Sequence, residues 1–135
     1  MGTEKKKLDI FDIPAYVVTI DDNRFIKCKK ILQSIGINNI NKTYSAIDDH
    51  NIGCKIGHLY SILNFLNNSD KDYCLIFEDD AYPCENCNEE LLKLQESINS
   101  FSTNIDCLFL GVYGQPIEYI NTLPEIIEKI NAKFY

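Results

Sequence analysis

Short apolar runs alternate along this chain with segments whose apolar residues recur every three or four positions. Residues 13–20 form the first run, which is rich in β-forming residues and ends at Asp21-Asp22, as a buried strand does. The next segment, 25–35, has helical spacing, with aspartates before it that can cap a helix and Gly36 after it. Strands and helices in alternation predict an α/β fold with a mostly parallel sheet flanked by helices.

The same two patterns continue to the end of the sequence. Every residue of the run 73–77 is apolar, which predicts a central strand covered on both faces. A wide apolar stripe on the second helix predicts that this helix is well buried. Further strands are predicted at residues 42–47 and 105–110, and further helices from about residue 53 to 66, at 91–98 and at 124–132.

Length and charge limit the classes of protein to be considered. The chain has 135 residues, which predicts one domain, 13–135, after a flexible N-terminal segment, 1–12. Its formal charge is −7 and its one arginine is Arg24, so it lacks the basic surface that nucleic-acid partners need. Residues 1–7 are polar and the apolar runs are short. These features predict no signal peptide, no membrane span and a cytoplasmic protein whose six cysteines are reduced.

Three consecutive acids, Glu78, Asp79 and Asp80, follow the apolar run 73–77. In an extended segment alternate side chains share a face, so Glu78 and Asp80 can point into a cleft while Asp79 points elsewhere. Carboxylate oxygens suit Mn²⁺ or Mg²⁺, which complete their coordination with water and phosphate oxygens. The alternative is a solvated turn after a strand.

Two other groups of residues offer different chemistry. Cys84 and Cys87 form a C-x-x-C directly before a predicted helix, which suggests a thiol–disulfide site or part of a zinc site. Nearby acids would raise the pKa of these thiols, and no second C-x-x-C completes a zinc site, so a loop disulfide or two spare thiols is the alternative. His58 lies between apolar residues near a helix start, where a hydrogen-bonded core histidine is the alternative to a ligand-binding one.

Four blocks of this sequence, in this order, resemble glycosyltransferase family 25, the lipopolysaccharide-type and collagen-type galactosyltransferases. The blocks are AYVVTIDDNR (15–24), SAIDDHNIGCKIGH (45–58), LIFEDDAYP (75–83) and IDCLFLG (105–111). The resemblance implies a Rossmann-like fold of the GT-A type, a UDP-sugar donor, often UDP-galactose, and Mn²⁺ or Mg²⁺. It also implies inverting transfer to a hydroxyl of a glycan or of a hydroxylated protein.

The resemblance also implies roles for particular residues. Glu78 and Asp80 would hold the metal together with Asp79, and the residues at the nucleotide and its diphosphate or sugar would be Ile20, Asp21, Arg24 and His58.

This chain departs from the family in two respects. Gly57 replaces a serine that commonly precedes the histidine. The similarity covers roughly residues 1–113, so the domain lacks most of the acceptor half that usually supplies the catalytic base, and no base is assigned. A non-catalytic nucleotide-sugar-binding module is therefore the alternative, and the shortened sheet predicts a homo-oligomer or a partner chain.

Overall fold

The computed structural model of this protein describes residues 6–45, 50–101, 105–108 and 110, with backbone alone for 50 and 51. Three strands and three helices alternate in these residues, so the predicted α/β class is confirmed. The strands form one parallel sheet in the order β2-β1-β3. The elements are β1 (Ala15–Thr19), α1 (Asp22–Ser34), β2 (Ile40–Tyr44), α2 (His50–Asn68), β3 (Leu75–Glu78) and α3 (Cys87–Ser100).

β1 is the central strand of the described sheet. All five of its residues are buried, and Ala15 pairs with Ile40 of β2 on one side and with Leu75 of β3 on the other. Among the described strands β3 lies at an edge of the sheet, so within this part of the chain the run 73–77 is not the central strand that was predicted. The chain leaves β1 for β2 and then crosses back to place β3 on the opposite side, so β1 is flanked by both, and β3 is less buried than β1.

The two faces of the sheet are covered by different helices. Ala15 and Val17 face the main core, which includes Cys28 and Leu32 of α1 and three residues of α3: Leu91, Leu94 and Ile98. Successive residues of a strand point to opposite faces, and Val18 accordingly faces Gly57 of α2. Helices on both faces are the expected result of right-handed crossovers, because the crossover from β1 to β2 and the crossover from β2 back to β3 run in opposite directions.

The capping residues predicted for α1 are confirmed. The Asp21 side chain accepts hydrogen bonds from the backbone N–H groups of Asn23 and Arg24, at 2.8 and 3.1 Å. At the other end Gly36 has a φ of +98°, a left-handed conformation that glycine adopts without strain. Each signal lies within a few residues of the helix end that it marks, so the sequence reveals it directly.

The prediction that α2 is well buried is wrong. The residues of α2 that face the sheet are small, because Gly53, Gly57 and Ser61 are its buried positions. Its large apolar residues point away from the sheet, and Leu59, Leu63 and Leu66 are each about half exposed or more. The apolar stripe predicted the helix correctly, but it did not show which side of the helix meets the sheet.

Segments at both ends of the predicted domain differ from expectation. In the segment that was expected to be flexible, Leu8 and Ile10 are buried. Asn99 of α3 exchanges two hydrogen bonds with the backbone of Leu8, both 2.8 Å long, so this segment runs along α3. Residues 105–108 and 110 do not form the strand predicted at 105–110, and the predicted helix at 124–132 lies outside the described residues.

Candidate functional site

The candidate site lies where β1 and β3 end. Parallel strands have their carboxyl ends at the same edge of a sheet, and β1 and β3 are neighbours there in the order β2-β1-β3. Ligands of open α/β sheets bind in the crevice outside the carboxyl ends of the strands. The residues there are the β1–α1 turn, which contains Asp21, and the acids from Glu78 onward.

Asp79 is the most enclosed of the three acids. Its side chain is 9% exposed, and its Oδ1 accepts a hydrogen bond from Nη2 of Arg24 at 2.7 Å. Its Oδ2 accepts a hydrogen bond from the Thr19 hydroxyl, also at 2.7 Å. The backbone N–H of Asp79 donates to the carbonyl of Val18 at 3.1 Å, so hydrogen bonds of Asp79 connect the end of β3 to the end of β1.

The sequence did not single out Thr19, whose hydroxyl makes one of these hydrogen bonds between β1 and Asp79. Glu78 is paired with Val18, so the next residue, Asp79, lies opposite Thr19. Thr19 is 3% exposed, and a hydroxyl buried at the end of a strand needs a polar partner. A threonine as the last residue of a strand was the available signal, but it does not identify a partner 60 residues away.

Glu78 and Asp80 are exposed, in contrast to Asp79. Oε1 of Glu78 lies 3.4 Å from Nε2 of His58, and the two side chains are 44% and 42% exposed. Within the part of the chain that the structure describes, no group of three or more His, Cys, Asp or Glu side chains is arranged to hold a metal ion. The acids of the triplet thus divide into one structural residue and two that remain accessible to a ligand.

The accessible donors have the chemistry that a hard divalent cation requires. Glu78 and Asp80 offer carboxylate oxygens, and His58 adds an imidazole nitrogen beside Glu78. Mg²⁺ and Mn²⁺ commonly bind through one or two carboxylates, keep several waters and take further oxygens from a substrate phosphate. The carboxylates of Glu78 and Asp80 are thus of the chemical type that such a cation takes as ligands.

The three residues predicted to border a nucleotide surround the same edge. Asp21 uses its carboxylate to cap α1. Arg24 has a side chain that is 53% exposed while one of its nitrogens contacts Asp79, and because a guanidinium has five N–H donors, others face solvent. Ile20 is 61% exposed, which leaves its side chain open to an apolar contact.

The position of His58 depends on close packing between α2 and the sheet. A methyl group on Gly57 would overlap Cγ1 of Val18, and the hydroxyls of Ser61 and Thr43 lie 2.8 Å apart in the same interface. This contact explains why a serine at position 57 would not fit without a shift of the helix. The close approach brings His58, the next residue, to Glu78.

Cys54 also lies beside the site, although sequence reasoning assigned it no role. Burial raises the pKa of its thiol, and the negative charge of Glu78 and a hydrogen bond between the two side chains raise this pKa further. Cys54 precedes His58 by one turn of α2, so it borders Glu78 from the same helix. Its thiol therefore stays protonated next to the carboxylate.

Cys87, the second cysteine of the C-x-x-C segment, is half-buried. Burial, followed by the neighbouring Cys84, raises the pKa of Cys87 to about 11, whereas a nucleophilic thiol needs a lowered pKa. All six cysteines lie within the described residues and are free thiols. The raised pKa therefore disfavours a thiolate at Cys87.

The fold and this edge define an α/β domain with a parallel sheet and acidic side chains at the carboxyl ends of its strands. Comparisons with protein-family models, with curated proteins and with solved structures find no match to this chain. In the described part of the chain, no helix is long and apolar enough to cross a membrane. The function is therefore inferred from the residues at the edge.

Proposed function

We propose that this protein is a metal-dependent UDP-sugar glycosyltransferase, similar to family 25, that transfers a hexose such as galactose to a hydroxyl of a glycan or of a hydroxylated protein. The observation that carries the proposal is the arrangement of the acidic triplet. Glu78 and Asp80 are exposed on either side of Asp79, which is fixed by Arg24 and Thr19, at the carboxyl edge of a parallel sheet.

A cation is needed because the site is acidic and a nucleotide diphosphate is an anion. The chain has a net charge of −7, so carboxylates at this edge would repel the diphosphate in the absence of a counter-charge. Glu78 and Asp80 would hold Mn²⁺ or Mg²⁺, and the bound ion would neutralise the charge that develops on the departing diphosphate. Binding of UDP and binding of the metal are therefore expected to depend on each other.

The residues around the acids position them and supply further contacts. His58 is placed to hydrogen-bond to Glu78 and so to orient its carboxylate. Arg24 fixes Asp79 with one nitrogen and has N–H donors left for a phosphate oxygen. Ile20 offers an exposed apolar surface beside Asp21, where a nucleoside can pack.

A binding module without catalysis is the second candidate, and the roles of the acids at this edge favour it. Inverting transfer needs a base within hydrogen-bond reach of the acceptor hydroxyl. Asp21 caps α1, Asp22 pairs with Lys42, Asp79 pairs with Arg24, and the remaining two acids of the triplet are assigned to the cation. Residues 48 and 49, two further aspartates that the sequence places after the second strand, lie outside the described residues.

Calorimetric titration of UDP with and without Mn²⁺ tests the proposal. We expect binding in the presence of Mn²⁺ that weakens at least tenfold in Glu78→Gln and in Asp80→Asn, because each change removes one charged ligand and keeps the shape of the side chain. Glu85→Gln is the matched control, since Glu85 is an exposed acid in the following loop, and it should bind as the parent chain does. An affinity for UDP that is the same with and without Mn²⁺ would contradict the assigned role of these acids.

A second measurement separates the enzyme from the binding module. An enzyme releases UDP from a UDP-sugar when a suitable hydroxyl acceptor is added, and this release should be lost in Glu78→Gln. A binding module takes up the UDP-sugar with the same metal dependence and releases no UDP with any acceptor.

A further inference from the structure

The outward side of α2 carries a regular series of large apolar residues. Ile52, Ile56, Leu59, Leu63 and Leu66 follow each other at intervals of four, three, four and three residues; we call this set the α2 stripe. All but Ile56 are at least 45% exposed. The stripe is directed away from the sheet, since the buried positions of α2 are Gly53, Gly57 and Ser61.

This spacing is that of a seam between two helices. Apolar residues at alternating intervals of three and four lie along one line of an α-helix and pack into a facing helix with the same spacing. An amphipathic helix that packs only on its own sheet needs its large residues on the sheet side. In α2 the small residues contact the sheet, so the seam is available to a second helix.

The stripe is also nearly symmetric about its middle residue. Leu59 lies seven residues after Ile52 and seven before Leu66, and Ile56 and Leu63 lie three residues before it and four after it. When two copies of such a helix meet antiparallel, Leu59 faces its own copy and the ends of the stripe face each other. A two-fold interface requires this kind of self-complementarity.

Size and charge favour a second copy of this chain. The four exposed residues of the stripe and the neighbouring Tyr60 and Ile62 make six exposed apolar residues on α2. Together they present a patch on the order of 600 Å², which is near the upper end of apolar patch sizes on monomers and close to the area that one partner buries in a standard interface. All 20 acidic residues of this chain lie outside α2, and its one Lys or Arg is Lys55. Two copies can therefore meet here without opposing carboxylates from the helices themselves.

We propose that two copies of this protein associate through the α2 stripe as an antiparallel helix pair. The interface is independent of the proposed function, because the stripe lies on the side of α2 opposite to its contact with the sheet. A membrane surface is a poorer occupant, because helices that lie on membranes carry several Lys or Arg on their polar face and α2 carries one.

Sedimentation velocity over a range of protein concentrations tests the proposal, with Leu63→Glu as the variant and Leu92→Glu as the matched control. Leu63 and Leu92 are 45% and 46% exposed, but Leu92 is in α3, away from the stripe. We expect a dimer for the parent chain and for Leu92→Glu. In Leu63→Glu the dissociation constant should rise roughly a hundredfold or more, because each dimer would bury two unpaired carboxylates.

Circular dichroism of each variant confirms that a monomeric variant is still folded. A parent chain that stays monomeric at high micromolar concentration overturns the proposal, because the stripe would then be covered by residues 111–135, by a different protein, or by nothing. Equal dissociation constants for the Leu63→Glu and Leu92→Glu dimers also overturn the proposal.

Disulfide trapping tests the antiparallel arrangement in a background in which the exposed Cys84 and Cys107 are changed to serine. Leu59→Cys should give a disulfide-linked dimer on mild oxidation, since each Leu59 faces its copy. Ile52→Cys should not, since its partner is Leu66. Equal cross-linking of both variants would overturn the antiparallel arrangement, because facing identical residues at both positions means a parallel pair.

Discussion

Two ion pairs of this protein have the same length and differ in burial. Arg24 and Asp79 lie 2.7 Å apart with the carboxylate 9% exposed, and Lys42 and Asp22 lie 2.7 Å apart with the carboxylate 76% exposed. An exposed pair contributes little because water and salt screen it. A carboxylate that has lost most of its water depends on its remaining donors.

We therefore expect Arg24→Gln to lower the free energy of unfolding by about 2 kcal/mol, because Asp79 would keep only the Thr19 hydroxyl as a side-chain donor. Urea unfolding followed by circular dichroism measures this, since the chain has no tryptophan. The control is Lys42→Gln, which should cost less than about 1 kcal/mol. Equal effects of the two changes would show that burial of Asp79 does not matter.

The sequence identified Asp79 as part of an acidic triplet but not as the structural member of it. Asp79 is enclosed and Glu78 and Asp80 are exposed, but β3 ends at Glu78, so the alternation of a strand does not set the direction of Asp80. The partners of Asp79, Thr19 and Arg24, are 60 and 55 residues away from it. Only the pairing of β3 with β1 brings these residues together.

Helix α2 shows how a small residue sets the distance between two elements. Gly57 lies against Val18, and this approach places His58 beside Glu78. Helix propensity alone would favour alanine at position 57 by about 1 kcal/mol. The glycine therefore lowers the stability of the helix, and its packing against Val18 explains why a larger residue does not fit there.

Gly57→Ala should lower the free energy of unfolding by about 1–2 kcal/mol, because the clash with Val18 outweighs the gain in helix propensity. The decisive measurement is a double-mutant cycle by urea unfolding. In a Val18→Ala background, Gly57→Ala should be neutral or stabilising by up to about 1 kcal/mol, since the clashing methyl group is gone. The same cost in both backgrounds would mean that Val18 is not the obstacle.

Several groups buried across the whole molecule prefer their protonated form. Burial raises the pKa of the Cys28 and Cys74 thiols and of the Tyr16 and Tyr73 phenols, and it raises the pKa of Cys87 to about 11. The unfolded chain ionises at lower pH than the folded chain at each of these positions. Above the unfolded pKa of a thiol, 9.0, the folded state therefore binds more protons than the unfolded state.

The free energy of unfolding should accordingly be constant with respect to these thiols below about pH 9 and fall as the pH rises from 9 towards 11. Urea midpoints measured at intervals from pH 8 to 10.5 test this expectation. Cys87→Ser should give a shallower decline, because one of the contributing groups is removed. A midpoint that stays constant to pH 10.5 would show that these side chains are not protected from water.

The class of this fold follows from local patterns. Apolar runs, helical spacing, the cap at Asp21 and the turn at Gly36 act over a few residues, and each correctly indicated an element of the α/β alternation. The predicted strand at 105–110 failed because an apolar segment can pack on a core without joining the sheet: Ile105, Leu108 and Leu110 are partly buried beside the core.

The sequence itself determines which residues of this protein are acidic, apolar or small, and therefore which chemistry each position can offer. The tertiary structure decided which strand is central, which side of α2 meets the sheet and which acid of the triplet is enclosed. These outcomes depend on contacts between residues far apart in the chain, such as Val18 with Gly57, 39 positions apart, and Thr19 with Asp79, 60 positions apart. The periodicity of one segment carries no information about the partner it will meet, because that partner is chosen by how all the segments pack together.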